Sequence, residues 1–338
     1  MKTSDRILQP WCIDRNLDLS QVRVMAESFL PDLMAYNIRY LGSGWSNDVY
    51  SLNSEWILRF PLRKEVSFNL AKEIGLSSFL ATHLKNTGVS IPEIIMVSPP
   101  GDCGFPYQFG AYPMISGIPG SSNVGMVTDW PKLAKTLGNF LSTLHAIPEL
   151  DVKTPFNIRN HRYLRCFDWW DQRTDILRFI DSLQDMSLSE NADWLIHAKP
   201  PDPYSGQLRL NHNDLYPENI LINQNNGFIT GVIDWEDTAF TDPVQDFIML
   251  PFWMGWGNTQ LVISCYHLEL DSGFLERLKF SSRLLSLASL YSGGGFFHSS
   301  DGQVRYKGQR RNDDISMRKR YVENVFNDNN SFELQGRF

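Results

Sequence analysis

The stretch RLNHNDLYPENILINQNNGFITGVIDWEDTAFTDPVQDF, residues 209 to 247, sets His212, Asp214, Asn219, Asp234, Glu236, Asp237, Asp242 and Asp246 among apolar runs. An Asp follows one short β-type run, an Asn comes five residues later, and a second Asp ends the next hairpin. Such a hairpin brings Asn219 and Asp234 close, although they are fifteen residues apart. Two oxygen-bearing side chains on rigid strands make an incomplete Mg2+ site, one that leaves positions for nucleotide phosphates and water. Asp214, a short loop before Asn219, then stands where it can accept a proton from an attacking hydroxyl. The charges bracket a metal and a phosphoryl group.

The neighbouring polar residues each carry two readings. His212 suggests a general base, but with one residue between it and a strand-end Asp it reads better as a structural hydrogen-bonding core residue. Glu236 and Asp237, just past Asp234, either meet a substrate or cap the helix that begins near Pro243. With Asp242 they make a candidate acidic rim. Asp168, Asp171 and Asp175 fall at i, i+3 and i+7 of a helical pattern beside Trp169 and Trp170. They form either an ammonium-binding rim or a solvated acidic face, and the solvated face is the favoured reading. The remaining histidines show no ligand spacing with one another or with the cysteines, so no transition-metal site is implied.

Periodicity predicts the elements that must hold these groups. Residues 19 to 34 repeat at the helical period, with Pro31 as a break near the end. NIRYLGSGWSNDVYSL and EWILRFPL alternate and meet at Asn53-Ser54, which predicts three antiparallel strands. Val66, Leu70, Ile74, Phe79, Leu80 and Leu84 predict a long helix over 64 to 85. PEIIMVSPP and YQFGAYPMI add two short strands, so residues 37 to 112 make a small sheet with one helix. Helical patterning then covers 129–146, 161–184, 187–198, 244–255, 260–269, 273–292 and 313–326. The exceptions are three short β-type runs around the charged stretch, and a Gly/Ser-rich, then basic, loop over 291–314 that reads as a lid or a surface excursion. The organisation expected is α+β and two-lobed: an N-terminal lobe over 1–112, a hinge over 113–118 and a helix-rich C-terminal lobe over 119–338.

Composition narrows the partners. A chain of 338 residues is longer than one hydrophobic core usually serves. Its 42% hydrophobic and 20% charged content is that of a soluble globular protein. Net charge is -7, from 31 basic against 38 acidic residues, with no long basic run, which argues against nucleic acid and anionic membrane as partners. A small cationic or neutral ligand fits better, and a monomer is expected. Cys12, Cys103, Cys166 and Cys265 show no C-x-x-C spacing and read as reduced thiols. With no leader pattern and no apolar run of about 18 residues, a cytoplasmic location is expected.

HNDLYPEN matches H-x-D-x-x-x-x-N, the catalytic loop of protein kinases, and IDW stands where their D-F-G would be. With Pro217, the DWED and DPVQDF that follow, and no later A-P-E, the stretch resembles the aminoglycoside phosphotransferase family more closely than protein kinases. LGSGWSNDVYSLNSEWILRFP is similar to the nucleotide loop and following strands of 2''-aminoglycoside phosphotransferases, and WILRFPLRKEVS and AYPM resemble macrolide phosphotransferases. The resemblance runs from about residue 38 to 255, with a looser helical match beyond.

Residue by residue, the resemblance implies that Asp214 is catalytic and that Asn219 and Asp234 are the Mg2+ ligands. Arg59 takes the position of the lysine that contacts the α and β phosphates, and Glu73 that of its helix partner. Ser43, Gly44 and Ser46 belong to the nucleotide loop, Ile233 to the nucleotide site, and Tyr112 and Met114, in YPMIS, to the hinge whose backbone meets the base. Asp246 corresponds to a structural Asp that holds the catalytic-loop backbone. Two residues depart from the pattern: Arg for Lys changes the donor geometry, and Asn213 stands where most relatives carry Gly, a left-handed position that Asn tolerates. The expectation is a protein-kinase-like enzyme that moves the γ-phosphoryl group of ATP or GTP to a hydroxyl of a small molecule, with aminoglycoside antibiotics first. A macrolide, or choline, homoserine or a sugar, is the alternative acceptor. A catalytically silent, kinase-shaped binding protein is the rival of another class, and the intact Asp214, Asn219 and Asp234 argue against it.

Overall fold

The computed structural model describes residues 17–30, 37–43, 46–99, 101, 104–122, 124–160, 164, 166–293, 296–298, 304–306 and 315–327. The chain divides into two compact units, the first of residues 1–85 and 90–116, the second of residues 86–89 and 117–338.

In the first unit, α1 (Leu19–Phe29) opens on a capping box: Asp18 accepts from the Gln21 amide at 2.8 Å and Gln21 returns an acceptor to the Asp18 amide at 3.1 Å. The helix buries Val22, Met25 and Ala26, one stripe at the i, i+3, i+4 spacing. It is shorter than the period suggested, and residues 31–36, with Pro31, lie outside the described residues. Five antiparallel strands follow in the order β1-β2-β3-β5-β4: β1 (Ile38–Ser43), β2 (Asn47–Leu52), β3 (Trp56–Pro61), β4 (Met96–Val97) and β5 (Gly110–Pro113). Asn53 and Ser54 turn β2 into β3 with φ of 55 and 58, the two consecutive left-handed residues that a tight hairpin matched to strand twist requires. Alternation along β3 assigns its faces. Leu58 and Phe60 pack with α1 and Phe109, whereas Ile57 joins Ile94, Tyr112 and Ile74 of α2 (Lys64–Leu84). Arg59 has the parity of Ile57 and so emerges on the face that α2 covers.

The second unit is mainly helical. Asp129 caps α3 (Trp130–His145), accepting from the Lys132 amide at 2.9 Å. An unexpected α4 (Glu149–Phe156) follows, a short element whose pattern is obscured by Pro148 and Pro155. The helix expected over 161–184 is two pieces, α5 (Phe167–Trp170) and α6 (Arg173–Ser182), interrupted at Asp171 and Gln172. Next come α7 (Ser189–His197) and the small strands. β7 (Arg209–Asn211) pairs with β10 (Ala239–Thr241), and β8 (Ile220–Ile222) pairs with both β6 (Ile118–Pro119) and β9 (Ile229–Val232). The two helices expected over 244–255 and 260–269 are instead a 3-10 turn at 243–247 and one helix, α8 (Leu250–Ser264), kinked where Gly255 takes φ 69. α9 (Phe274–Gly293) and α10 (Ile315–Phe326) complete the unit, with α10 packed on α8 and α9. Between them β11 (Phe296–His298) pairs with β12 (Val304–Tyr306), so the segment read as a loop contains a hairpin. Among the described residues no helix is long and apolar enough to cross a membrane.

Candidate active site

In the first unit, Arg59 Nη1 donates to Glu73 Oε1 at 2.5 Å, with the two side chains only 8% and 7% exposed. The strand parity of Arg59 and the cover of α2 bring the pair together. Tyr112 is buried in β5 opposite Ile57. The Met114 amide donates to the Glu55 carbonyl at 2.7 Å, extending the β3–β5 pairing, so that this N–H is committed within the sheet rather than left to meet a base. Ser43 ends β1 and Ser46 accepts from the Leu62 amide through its carbonyl at 2.8 Å, whereas Gly44 lies outside the described residues.

In the second unit, the chain leaving β7 is held by one carboxylate. Asp246 is fully buried and accepts from the His212 amide at Oδ2 and from the Asn213 amide at Oδ1, both at 2.8 Å. His145 reaches the same Oδ2 at 3.2 Å and the Tyr266 hydroxyl at 2.9 Å. Asn213 takes φ 69, and its side-chain amide donates to the Asp237 carbonyl at 3.0 Å, which locks the left-handed turn. His212 is fully buried, and its Nε2 meets the Ile233 carbonyl at 2.9 Å. A carbonyl only accepts, so Nε2 carries the proton and Nδ1 accepts from the Asp214 amide at 3.3 Å. Desolvation pushes the His212 pKa below its ordinary value. With both ring nitrogens engaged and the ring neutral, His212 is a strut for Asp214 and Ile233, which favours its structural reading over general base catalysis.

Asp214 is half-buried. Asn219 Nδ2 donates to the Asp214 carbonyl at 2.9 Å and approaches its Oδ2 at 3.4 Å. Because a carbonyl repels another oxygen, the amide must present Nδ2 to Asp214, and Oδ1 is the atom left for a cation. The β8–β9 register pairs Ile220 with Val232, and the Ile233 amide donates to the Asn219 carbonyl at 2.9 Å. Asn219 and Asp234 are thus brought to one end of the hairpin, with Asp234 at φ 68, a conformation Asp tolerates. Among the described residues no three His, Cys, Asp or Glu side chains group into a complete metal site. Two oxygen donors at a hairpin end fit Mg2+, which keeps water and phosphate oxygens in its coordination shell.

One expectation is corrected. Asp242 is not part of a water-exposed rim: it is fully buried, caps the 3-10 turn through the Val244 amide at 3.0 Å, and accepts from Arg277 Nε at 2.6 Å. Arg277 also grips Asp271 with two bonds of 2.8 and 2.6 Å, so the cluster is a charge network closing α9 onto the 3-10 turn. Capping of that turn therefore falls to Asp242 rather than to Glu236 or Asp237, which are half-buried. Asp168 and Asp171 are exposed on α5 and at its end. Asp175, across the interruption, pairs with Arg178 at 3.1 Å. The sequence reading missed Arg277, His145, Tyr266 and Tyr321, each of which has a partner 35 to 121 residues away, beyond any local pattern.

The model of the phosphotransferase enzyme family matches residues 37–265. The chain is 24% identical over 221 residues to an uncharacterized protein, YcbJ, of Bacillus subtilis (strain 168), a match covering 62% of this chain and 67% of that one. Among solved structures, the GDP complex of wild-type aminoglycoside 2'-phosphotransferase-IIIa shares the fold with a TM-score of 0.64 at 22% identity, over 91% of this chain and 97% of that one. The macrolide 2'-phosphotransferase MphH from Brachybacterium faecium does so with a TM-score of 0.58 at 20% identity, over 91% and 99%.

Proposed function

Because the chain belongs to the phosphotransferase enzyme family, we propose that it transfers the γ-phosphoryl group of ATP or GTP, with Mg2+, to a hydroxyl of a small cationic molecule, an aminoglycoside before others. The observation that carries the reading is the hydrogen bond of Asn219 to Asp214, which ties the candidate metal ligand to the candidate base. Asp214 takes the proton of the acceptor hydroxyl as its oxygen attacks the γ-phosphorus; the bond to the β-phosphate oxygen breaks and the nucleoside diphosphate leaves. Asn219 and Asp234 would hold Mg2+, which when bound neutralises charge on the phosphates. Arg59, aimed by Glu73, offers its guanidinium to the α and β phosphates. On this reading residues 1–112 serve the nucleotide, 113–118 are the hinge, and 119–338 carry catalysis and the acceptor.

The cationic acceptor is favoured by the half-buried Glu236 and Asp237 and by the exposed Asp168 and Asp171. It also agrees with the aminoglycoside enzyme that shares the fold. A second reading, an acceptor of weaker charge such as a macrolide, is favoured by the removal of Asp242 from the rim and by the half-buried Trp169, Trp170 and Trp194. The test is diphosphate release by the purified protein with Mg2+ and each triphosphate against aminoglycosides, macrolides and small metabolic alcohols. Release stimulated by an aminoglycoside and abolished by chelation is expected. A macrolide or alcohol as the best acceptor would transfer the proposal to the second reading, and no stimulated release with any of them would leave the silent binding protein.

A further inference from the structure

We infer that the C-terminal helix α10 positions the catalytic loop, with Tyr321 acting through Glu218 on the neighbouring Asn219. This rests on the reading of Asn219 given above, while α10 lies beyond the residues that the family model matches. The Tyr321 hydroxyl donates to Glu218 Oε1 at 3.0 Å, and Tyr321 is 3% exposed. Burial, reinforced by the Glu218 charge, pushes the phenol pKa up, so the hydroxyl keeps the proton it donates. The other oxygen of that carboxylate, Oε2, is buried without a hydrogen-bond partner. Among the described residues, Tyr321 is therefore what holds the Glu218 side chain, and its loss would leave a desolvated carboxylate with none.

Glu218 is the middle residue of the 3-10 turn Pro217–Asn219, closed by the Asn219 amide on the Tyr216 carbonyl at 2.9 Å. A displacement of Glu218 reaches Asn219 across one peptide bond, and Asn219 is the residue bonded to Asp214. A second, apolar route runs in parallel: the Tyr321 ring packs on Phe252 with centroids 5.4 Å apart, and Phe252 on Tyr216 at 6.3 Å. α10 is itself fixed on both sides of the Gly255 kink. Asn324 Nδ2 donates to the Phe252 carbonyl at 2.8 Å, and Trp256 Nε1 to the Val325 carbonyl at 2.8 Å. The kink thus gives α10 a latch, and the latch sets the height of Tyr321 over the turn.

Tyr321→Phe keeps the ring contact and removes only the hydroxyl. Its kcat should fall about tenfold, the equivalent of one hydrogen bond to a charged group at its lower range. The Mg2+ concentration for half-maximal rate should rise and the thermal midpoint should fall by a few degrees, while the acceptor KM stays near wild type. Glu218→Gln, which retains an acceptor for the phenol, should keep most of the rate, and adding it to Tyr321→Phe should cost nothing further. Independently of any reaction, amide hydrogen exchange over 214–222 should quicken in Tyr321→Phe. Exchange unchanged from wild type, or a kcat within twofold with unaltered Mg2+ demand, overturns the positioning role. Should the wild type phosphorylate no acceptor, the proposed function fails by itself, and hydrogen exchange still decides this one.

Discussion

Arg59 in the first unit and Asp214 in the second are held in opposite ways. Arg59, on a strand, meets a side chain, Glu73 on a helix, the two 8% and 7% exposed and 2.5 Å apart. Asp214 is held through its loop backbone: Asp246 accepts from the two preceding amides, and His212 and Asn219 bond the Asp214 amide and carbonyl. Breaking a buried ion pair leaves a charge that has given up its water, so the loss of one partner is felt strongly by the other. A loop held through its backbone tolerates the loss of one side chain at its tip, since its geometry is set elsewhere. Substitutions in the first unit should therefore register in folding and nucleotide binding together, and substitutions at the loop tip in rate alone.

The strongest test of that contrast is Asp214→Ala. It should lower kcat by about 10²- to 10⁴-fold, the range for removing a positioned general base, with nucleotide affinity and thermal midpoint almost unchanged. Steady-state rates beside calorimetric nucleotide titration read both quantities. A variant that unfolds, or that turns over within a few fold of wild type, would erase the difference between the units.

Next in size is Arg59→Ala. Taking the guanidinium away from the buried Glu73 carboxylate should cost about 3 kcal/mol of stability and weaken nucleotide binding as well. Replacing both partners, as Arg59→Met with Glu73→Leu, should restore most of the stability and none of the binding. Chemical denaturation and nucleotide titration of the three proteins check this. Recovery of binding in the double variant would make the pair purely architectural.

What the sequence showed and what it hid follow from the range of the interactions. The turn at Asn53-Ser54, the parity of β3 and the hairpin that joins Asn219 to Asp234 are local, so residue types and spacing sufficed. Asn213 was legible as a left-handed residue for the same reason. Asp242 was misread because a buried carboxylate and an exposed one look alike until Arg277, 35 residues later, comes into contact. The helix bounds around the kink at Gly255 were misplaced, since an apolar run such as LPFWMGWG has no polar face from which to read a period.

A smaller effect separates His212 from the residues around it. Its folded pKa lies below the unfolded value of about 6.5, so below that pH the unfolded chain binds the extra proton. Stability should therefore be full above about pH 6.5 and decline as pH falls towards the folded value, by at most about 1.4 kcal/mol per pH unit. His212→Gln can still donate to the Ile233 carbonyl and should lose that part of the slope. Denaturation midpoints of both proteins at neutral and mildly acidic pH measure it. An equal slope in the two would mean that other groups carry the acid sensitivity and that His212 is no fixed neutral strut.

The smallest expected effect, a few-fold change in acceptor KM, bears on the rim that remains after Asp242 is removed from it. Glu236 and Asp237 are half-buried, and Asp168 and Asp171 are exposed, so their attraction for ammonium groups acts partly through water and is screened over about 10 Å at 0.1 M salt. For a polycationic acceptor, KM should rise between about 20 and about 300 mM KCl, and Glu236→Gln and Asp237→Asn should flatten the rise. The Asp237 substitution leaves its carbonyl, and so the bond from Asn213, in place. An acceptor with one amine and a large apolar ring would bind mainly by burial, which salt does not weaken. A flat profile with unchanged KM in both variants would thus leave the acidic groups as solvated surface and put the weakly charged acceptor first. A steep one would extend the contrast drawn above to the acceptor itself, recognised by exposed side chains while the chemistry is held by buried backbone.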